Sequence, residues 1–365
     1  MKRRSFLKAT LAAPAVGALP AAFRQGYAAE QDGGWKTYEI TTRVEILNPS
    51  ATSRAWVPLP LTTKSTWHNP LSSQWTGNAY QSKVVSDGKY GAEMVYAEWQ
   101  AGEKAPILEV MSRFATRDRV VDISRPNPGA PKLSAEEIAL ETAATDLIPT
   151  DGIVRDTALD ITTGAKTDVE KARAIYEWIV DNTFRDPKVR GCGWGDIKGM
   201  LETRNFGGKC GDLNAMFVGL ARSVGIPARD VYGIRVAPSQ LGYRSMGIGT
   251  PVASRAQHCR AEFYAQGIGW VPVDPADVRK VVLEEPPGNL TVNDPKVVAM
   301  RKKLFGAWEM NWLAYNTAHD VKLPNSSGAK IPYLMYTNGE TGGKMLDQLE
   351  PDQFKYTITA QEIKA

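Results

Sequence analysis

The hydrophobic pattern in the first third of the chain predicts β-strands. Over residues 35–47, apolar and polar positions alternate, so that Tyr38, Ile40 and Val44 share one face. The same period-2 pattern continues in SRAWVPLP, GAEMVYAEW and PILEVMSRFATRDRVVDI, and stretches rich in Ser, Asn and Gly separate these segments. We therefore predict an antiparallel, β-sandwich-like domain over residues 29–123.

A helical pattern follows the Pro- and Gly-rich stretch SRPNPGAPK. Ser134 with Glu137, and Thr167 with Glu170, each match the S/T-x-x-E capping box that begins a helix. We assign residues 124–150 to a linker and a helix, and we expect a longer amphipathic helix after Thr167.

The clearest helix begins at Cys210, and GIP at residues 225–227 ends it. One face carries its apolar residues, which are Leu213, Met216, Phe217, Leu220, Ala221 and Val224. Short strands follow in RDVYGIRV, HCRAEFYAQ and WVPVD. The fold class predicted from this order is α+β, with a catalytic domain over 151–330 and further C-terminal strands over 331–365 that pack on the core.

The start of the chain, MKRRSFLKATLAAPAVGALPAAFRQGYAAE, predicts an export signal. Arg3 and Arg4, followed by Ser-Phe-Leu-Lys, resemble the twin-arginine signal. We expect residues 1–28 to be removed and the mature protein to be periplasmic or secreted. A membrane anchor is the alternative, but the apolar run is shorter than the about 20 residues that a membrane span needs.

The charge of the mature chain argues against nucleic acid as a partner. The full chain has a formal charge of +4, and residues 1–28 hold five basic residues and no acid, so the mature chain carries about −1. No Lys/Arg block remains to bind a polyanion or an anionic membrane. We expect a protein or peptide substrate, with a cell-wall peptide among the options, and no stable membrane insertion.

The three cysteines, Cys192, Cys210 and Cys259, are too few for a disulfide framework, even in an oxidising compartment. A disulfide between Cys192 and Cys259 stays open. Zinc bound by the three thiols and His258 is a weaker alternative, because no C-x-x-C spacing is present. We therefore expect neither a metal nor another cofactor.

Cys210 is the candidate nucleophile, because a helix N-terminus favours an anion and hence the thiolate. The turn at residues 267–269 would set Asp274 directly opposite His258 or on the adjacent diagonal of a β-hairpin. Strand alternation would point Cys259 away from the side of His258. We predict a triad in which Cys210 attacks, His258 transfers the proton and Asp274 orients the imidazole.

These motifs together resemble the transglutaminase-like family. The stretches KCGDLNAMFVGLARSVGIPARDVYG and HCRAEFYAQGIGWVPVDPAD carry the resemblance, which spans about residues 160–280. It implies a papain-like cysteine-enzyme core, in which a helix bearing the Cys packs on an antiparallel sheet bearing the His and the Asp, after a preceding β domain. It also implies catalysis through an acyl-enzyme on Cys210.

Residues outside the triad carry weaker expectations. The backbone N–H of Cys210 is expected to form half of an oxyanion hole, with Trp194 or Asn205 as candidates for the other half. His68 and His319 lie in no motif, and we expect them at the surface or in loops.

Three functions are compatible with the sequence. A peptidase or amidase would pass the acyl group to water, and we favour this function because no acidic lysine-binding cluster and no calcium-binding loop are evident. A transamidating enzyme would pass the acyl group to an amine and so form a crosslink. A non-catalytic module would only hold a peptide or a wall polymer.

Overall fold

The computed structural model of the protein describes residues 34–350 and 354–363. The predicted signal peptide, 1–28, lies outside the described residues. The described residues all fall within one compact unit, Gln31–Lys364.

Strands dominate both ends of the described chain. Numbered in order, they are β1 (Lys36–Glu45), β2 (Ser53–Pro58), β3 (His68–Gly77), β4 (Gln81–Ser86), β5 (Glu93–Trp99), β6 (Ile107–Thr116), β7 (Arg119–Val120), β8 (Phe184–Arg185), β9 (Gly207–Gly208), β10 (Ala228–Arg235), β11 (Arg260–Ala265), β12 (Gly269–Val273), β13 (Ala307–Trp308), β14 (Trp312–Asn316), β15 (His319–Val321), β16 (Ile331–Tyr333), β17 (Asn338–Thr341), β18 (Lys344–Leu346) and β19 (Lys355–Ile363).

The helices lie in the middle of the chain. They are α1 (Ala135–Thr142), α2 (Gly152–Ile161), α3 (Asp168–Asn182), α4 (Ile197–Thr203), α5 (Cys210–Ser223), α6 (Pro275–Glu284) and α7 (Pro295–Lys303). Both predicted capping boxes are confirmed: Ser134 caps α1 and Thr167 caps α3, each with a reciprocal bond to the glutamate three residues later.

The first strands form two antiparallel sheets that enclose a core. One sheet has the order β19-β1-β6-β3, and the other has the order β18-β17-β2-β5-β4. Side chains from both sheets meet in one apolar cluster, which includes Val44, Val57, Val95 and Leu108. The alternation predicted for β1 is confirmed, since its buried and half-exposed residues alternate from Tyr38 onward.

The C-terminal segment contributes to these two sheets. Strand β19 pairs with β1, and β17 pairs with β2, so the segment that the sequence assigned to 331–365 completes the sandwich. A further apolar cluster, which includes Tyr38, Phe114, Ile234 and Leu313, joins the β19-β1-β6-β3 sheet to the sheet that contains β10 and β14. The β sandwich and the sheet that contains β10 and β14 therefore pack on each other through this cluster.

The second half of the chain packs helices on an antiparallel sheet with the order β12-β11-β10-β14. Helix α5 lies against β10 and β11, and α2, α3, α4 and α6 also contact it. All fourteen of its residues are buried. The sequence predicted one apolar face for this helix, but its polar side chains are enclosed as well. The α+β class, with a Cys-bearing helix on an antiparallel sheet, is confirmed.

Two sequence expectations about the β region and the histidines are wrong. Strands β3 and β4 occupy stretches that we predicted to be separators between strands. The prediction missed them because these edge strands are mostly exposed and therefore polar.

His68 and His319 are buried on β3 and β15, not at the surface. Burial lowers the pKa of His68 to about 4, and its Nε2 lies 2.7 Å from the carbonyl oxygen of Leu61.

Candidate active site

Cys210 is the first residue of α5, and its side chain is 4% exposed. Its backbone N–H has no acceptor among the residues that the structure describes. The first N–H groups of a helix lack partners within the helix and carry a partial positive charge, so they stabilise an anion at this position.

The loop before α5 is fixed by Asp212, which lies in the first turn of the helix. Its carboxylate accepts bonds from the backbone N–H groups of Trp194 and Gly195, at 3.0 Å each, and from that of Lys209 at 2.9 Å. The N–H of Gly211 donates to the carbonyl oxygen of Cys192 at 2.7 Å. Hydrogen bonds from two chain segments therefore hold the start of α5 in one position.

His258 lies two residues before β11, and Asp274 directly follows β12. Nε2 of His258 and Oδ2 of Asp274 are 2.8 Å apart. The hairpin pairs Ala261 with Val273, so the ladder extends to Arg260 opposite Asp274 and leaves His258 on the diagonal. Because Nε2 is bound to the carboxylate, Nδ1 is the ring nitrogen left to face the thiol.

Several residues hold His258 and Asp274 in place. Nε1 of Trp312 donates to the carbonyl oxygen of His258 at 2.8 Å, and the N–H of His258 donates to the carbonyl oxygen of Gly233 at 2.9 Å. Nδ2 of Asn214, one turn after Cys210 on α5, donates to Oδ1 of Asp274 at 3.3 Å. Asp274 also caps α6, since Oδ1 accepts the N–H of Asp277 at 3.0 Å.

Asp277 is a second carboxylate beside the imidazole, and the sequence motifs did not predict its role. Its Oδ2 lies 3.4 Å from Nε2 of His258, and both of its oxygens accept bonds from Nη2 of Arg235, at 2.5 and 2.7 Å. Nε of Arg260 lies 3.6 Å from Oδ2 of Asp274. The only advance sign of Asp277 in the sequence was its position three residues after Asp274, at the start of a helix.

Their surroundings shift the pKa values of His258 and Cys210 in opposite directions. Burial alone would lower the pKa of His258, but the negative charges of Asp277 and Asp274 raise it to about 9. The pKa of Cys210 lies well below its ordinary value, because the thiols of Cys192 and Cys259 and the ring of His258 stabilise the thiolate. The site therefore favours a thiolate–imidazolium pair at neutral pH.

The structure brings Cys192 and Cys259 next to Cys210 as free thiols. The expectation that Cys259 points away from the site is wrong, because Cys259 precedes the first residue of β11 and strand alternation does not extend to it. Sγ of Cys192 also lies 3.4 Å from the carbonyl oxygen of Gln257. The pKa of each flanking thiol is raised, so both remain protonated and act as donors.

The side chains that gather closely enough to hold a metal ion are those of His258, Asp274 and Asp277. Both oxygens of Asp277 already bind Arg235, and Asp274 binds the imidazole. In the described part of the chain, the three thiols with His258 do not form such a group. The donor set present fits a hydrogen-bonded ion network better than it fits a zinc site.

Cys210 and His258 line an open cleft of about 690 Å³. The lining includes the loop before β11, from Gly247 to Gln257, and Leu349, Phe354 and Tyr356 from the C-terminal segment. Hydrogen bonds join this loop to the last strand, for example from the N–H of Ala253 to the carbonyl oxygen of Ile358 at 2.8 Å. Neither Trp194 nor Asn205 lines this cleft. Trp194 is 69% exposed, so both candidates for the second oxyanion donor are wrong in position.

Comparisons with known proteins agree with this geometry. The family model of the transglutaminase-like superfamily matches residues 155–275, which include all three residues of the predicted triad. A protein of Haemophilus influenzae, described as uncharacterized, is 37% identical over 342 residues, which cover 89% of this chain and 91% of that protein. The chain belongs to the transglutaminase-like superfamily.

A solved structure shows the same fold as this transglutaminase-like protein. It is the crystal structure of a candidate cysteine protease from Cytophaga hutchinsonii, with a TM-score of 0.55 and 13% identity. The match covers 91% of this chain and 92% of that one. The fold over nearly the whole of this chain, sandwich included, is therefore found in another protein.

The part of the transglutaminase-like protein that the structure describes contains no helix with the length and apolarity needed to cross a membrane.

Proposed function

We propose that this transglutaminase-like protein is a cysteine-dependent amide hydrolase with Cys210, His258 and Asp274 as its catalytic triad. The observation that carries the proposal is the position of Cys210 at the N-terminus of α5, beside an imidazole whose Nε2 is bound to Asp274 at 2.8 Å. The opposite pKa shifts of Cys210 and His258 support a reactive ion pair.

Acylation would begin with attack of the Cys210 thiolate on the carbonyl carbon of the amide. The oxyanion that forms would accept a hydrogen bond from the backbone N–H of Cys210, which has no other acceptor in the described residues. The imidazolium of His258 would then protonate the nitrogen, the C–N bond would break, and an amine would leave a thioester on Cys210.

Deacylation would restore the ion pair between the Cys210 thiolate and the His258 imidazolium. Neutral His258 would take a proton from water, and the hydroxide formed would attack the thioester carbon. Cleavage of the C–S bond would release a carboxylic acid and return the thiolate–imidazolium pair. Asp274 would hold the ring throughout and stabilise its positive charge.

The lining of the cleft supports water as the acyl acceptor. Its charged side chains are six Lys or Arg residues and His258, and no carboxylate is among the described lining residues. A lysine ammonium group would meet repulsion there and find no anion to bind. This argues against efficient transamidation.

The site of action is part of the same proposal. The twin arginines and the short apolar run at the N-terminus support export, with the mature protein acting outside the inner membrane on a protein or a wall peptide.

The proposal is tested by incubating the purified mature enzyme with a glutamine-containing peptide library, with and without a labelled primary amine, and reading the products by mass spectrometry. We expect cleavage or deamidation that depends on Cys210 and changes little when amine is added. Efficient amine incorporation with little hydrolysis would favour a crosslinking enzyme. The absence of any Cys210-dependent product would favour a binding module.

A further inference from the structure

The cleft around Cys210 concentrates positive charge. Six basic side chains line it, and the described lining residues include no Asp or Glu; the six are Arg185, Arg190, Lys209, Arg235, Arg255 and Lys280. The chain as a whole has 44 basic and 40 acidic residues, so the excess in the cleft does not follow from composition. A cleft lined by charges of one sign concentrates ligands of the opposite sign.

Four of the six cations make ion pairs with carboxylates that do not line the cleft. Their contacts are Arg235 with Asp277, Arg190 with Asp347 and Glu350, and both Arg185 and Lys280 with Glu284. These four cations help to shape the cleft wall, but only part of their charge remains to attract a ligand.

Lys209 and Arg255 differ from the other four, because neither makes an ion pair within residues 34–350 and 354–363. Lys209 is half-buried and directly precedes Cys210, whereas Arg255 is exposed and lies three residues before His258. Arg255 also lies near Tyr356, on the wall that the C-terminal segment forms. The two cations thus line the same cleft as Cys210 and His258, one next to the thiol in sequence and the other three residues before the imidazole.

We propose that the cleft selects acidic peptides, whose carboxylates flank the scissile amide and bind Lys209 and Arg255. The proposal rests on the proposed hydrolase function and adds its substrate class. A peptide satisfies both halves of the site, because it supplies an amide carbonyl to Cys210 and anionic side chains to the two cations.

The substrate test compares two peptides that differ only in charge, one with Asp and Glu around the scissile amide and one with Asn and Gln. We expect kcat/KM to be about tenfold higher for the acidic peptide at low salt, and this preference to shrink as salt screens the charges. Arg255→Gln and Lys209→Gln should each lower kcat/KM for the acidic peptide by about fivefold and leave the neutral peptide within about twofold.

Lys104→Gln is the matched control, because Lys104 is exposed and does not line the cleft. It should leave both peptides unchanged. Equal kcat/KM for the two peptides, or an equal loss for both in the Arg255 and Lys209 variants, would overturn the assignment of substrate class.

A second measurement separates this proposal from the hydrolase proposal, because it needs no turnover. Alkylation of Cys210 by iodoacetate, an anion, is compared with alkylation by neutral iodoacetamide in the wild type and in the two variants. We expect the iodoacetate-to-iodoacetamide rate ratio to fall about fivefold in each variant, because each variant loses one positive charge that attracts the anionic reagent.

Three outcomes would contradict the assignment of acidic peptides. Selective labelling of Cys210 with an unchanged rate ratio would overturn the substrate class and leave the proposed function standing. Failure of Cys210 to react with either reagent would remove both proposals. Protection of Cys210 by a short DNA oligonucleotide, with no protection by the acidic peptide, would replace the peptide with a phosphodiester ligand.

Discussion

At the scale of single residues, Cys210 belongs to a buried cluster of charges that its thiolate balances. Two carboxylates and three cations surround it, and these are Asp274, Asp277, His258, Arg235 and Arg260. With the thiol protonated and His258 in its charged form, one positive charge in this buried group would lack a counterion. Because uncompensated charge is costly in a buried site, the cluster favours the thiolate.

The pH dependence of activity follows from the two opposite shifts. The pKa of Cys210 is lowered and that of His258 is raised to about 9, so the ion pair exists between the two values. We expect kcat/KM to rise with a pKa well below the ordinary thiol value of about 8.5, and to fall again near pH 9 as His258 loses its proton. A single rise centred on about pH 8.5 would show an unassisted thiol.

Asp274 has two predicted roles, which are to orient the imidazole ring of His258 and to stabilise its positive charge. Substituting Asp274 by Asn removes the second role and retains part of the first. In Asp274→Asn the amide oxygen can still accept the N–H of Asp277 and hold α6, but the imidazolium loses the nearer of its two carboxylates and keeps only Asp277, whose Oδ2 lies 3.4 Å from Nε2. We expect kcat to fall about a hundredfold or more, with part of the Cys210 alkylation rate retained.

Asp156→Asn is the control for that substitution, because Asp156 is exposed on α2, away from the cleft. Thermal unfolding of both variants separates loss of catalysis from loss of fold. Full activity in a folded Asp274→Asn variant would remove Asp274 from the triad.

At the scale of elements, the N-terminus of α5 and the loop that carries Cys192 form one rigid junction. A Cβ on Gly211 would lie 2.7 Å from the carbonyl oxygen of Cys192, and one on Gly193 would clash with the carboxylate of Asp212. Both glycines are therefore required by close backbone approach. The loop and the helix cannot move apart without breaking the bonds to Asp212.

Gly211→Ala tests the rigidity of this junction. Alanine is the better helix former by about 1 kcal/mol, but the clash with Cys192 should outweigh this gain and cost about 1–2 kcal/mol of stability overall. We expect a lower melting temperature and slower alkylation of Cys210.

Gly129→Ala is the matched control, since its Cβ would meet only the side-chain oxygen of Asn127 at 3.5 Å. It should leave both the melting temperature and the alkylation rate unchanged. A stabilised Gly211→Ala variant with normal alkylation would show that the junction tolerates displacement.

The sequence predicted those parts of the site that local rules determine. The apolar spacing after Cys210 and the short hairpin turn were enough to place His258, Asp274 and the start of α5. Asp277 and the two flanking thiols were missed, because their roles depend on packing between distant segments. Strands β3 and β4 were missed because exposed edge strands lack the apolar alternation on which the prediction relies.

At the scale of the whole molecule, the β sandwich contributes directly to the catalytic cleft. Phe354 directly precedes the last strand, β19, and Tyr356 lies in it; β19 pairs with β1, and both side chains line the cleft with Cys210. The lining of the cleft therefore combines the C-terminal segment with residues of the helical half of the chain. No rule of local sequence could have joined these two ends of the chain.

Export is the prediction that concerns the whole chain. The twin-arginine pattern and the short apolar run lead us to expect a mature protein that begins near Ala29 and lies outside the inner membrane. N-terminal sequencing of material from fractionated cells measures this. An uncleaved, membrane-bound chain would contradict it.

The most direct test of the account is site-mapped alkylation of the three cysteines by iodoacetamide at about pH 6, where ordinary thiols are almost fully protonated. We predict that Cys210 is alkylated selectively, that Cys192 and Cys259 remain unmodified, and that His258→Ala slows the reaction at Cys210. Equal labelling of the three thiols, or no labelling of Cys210, would contradict the claim that Cys210 is the activated nucleophile.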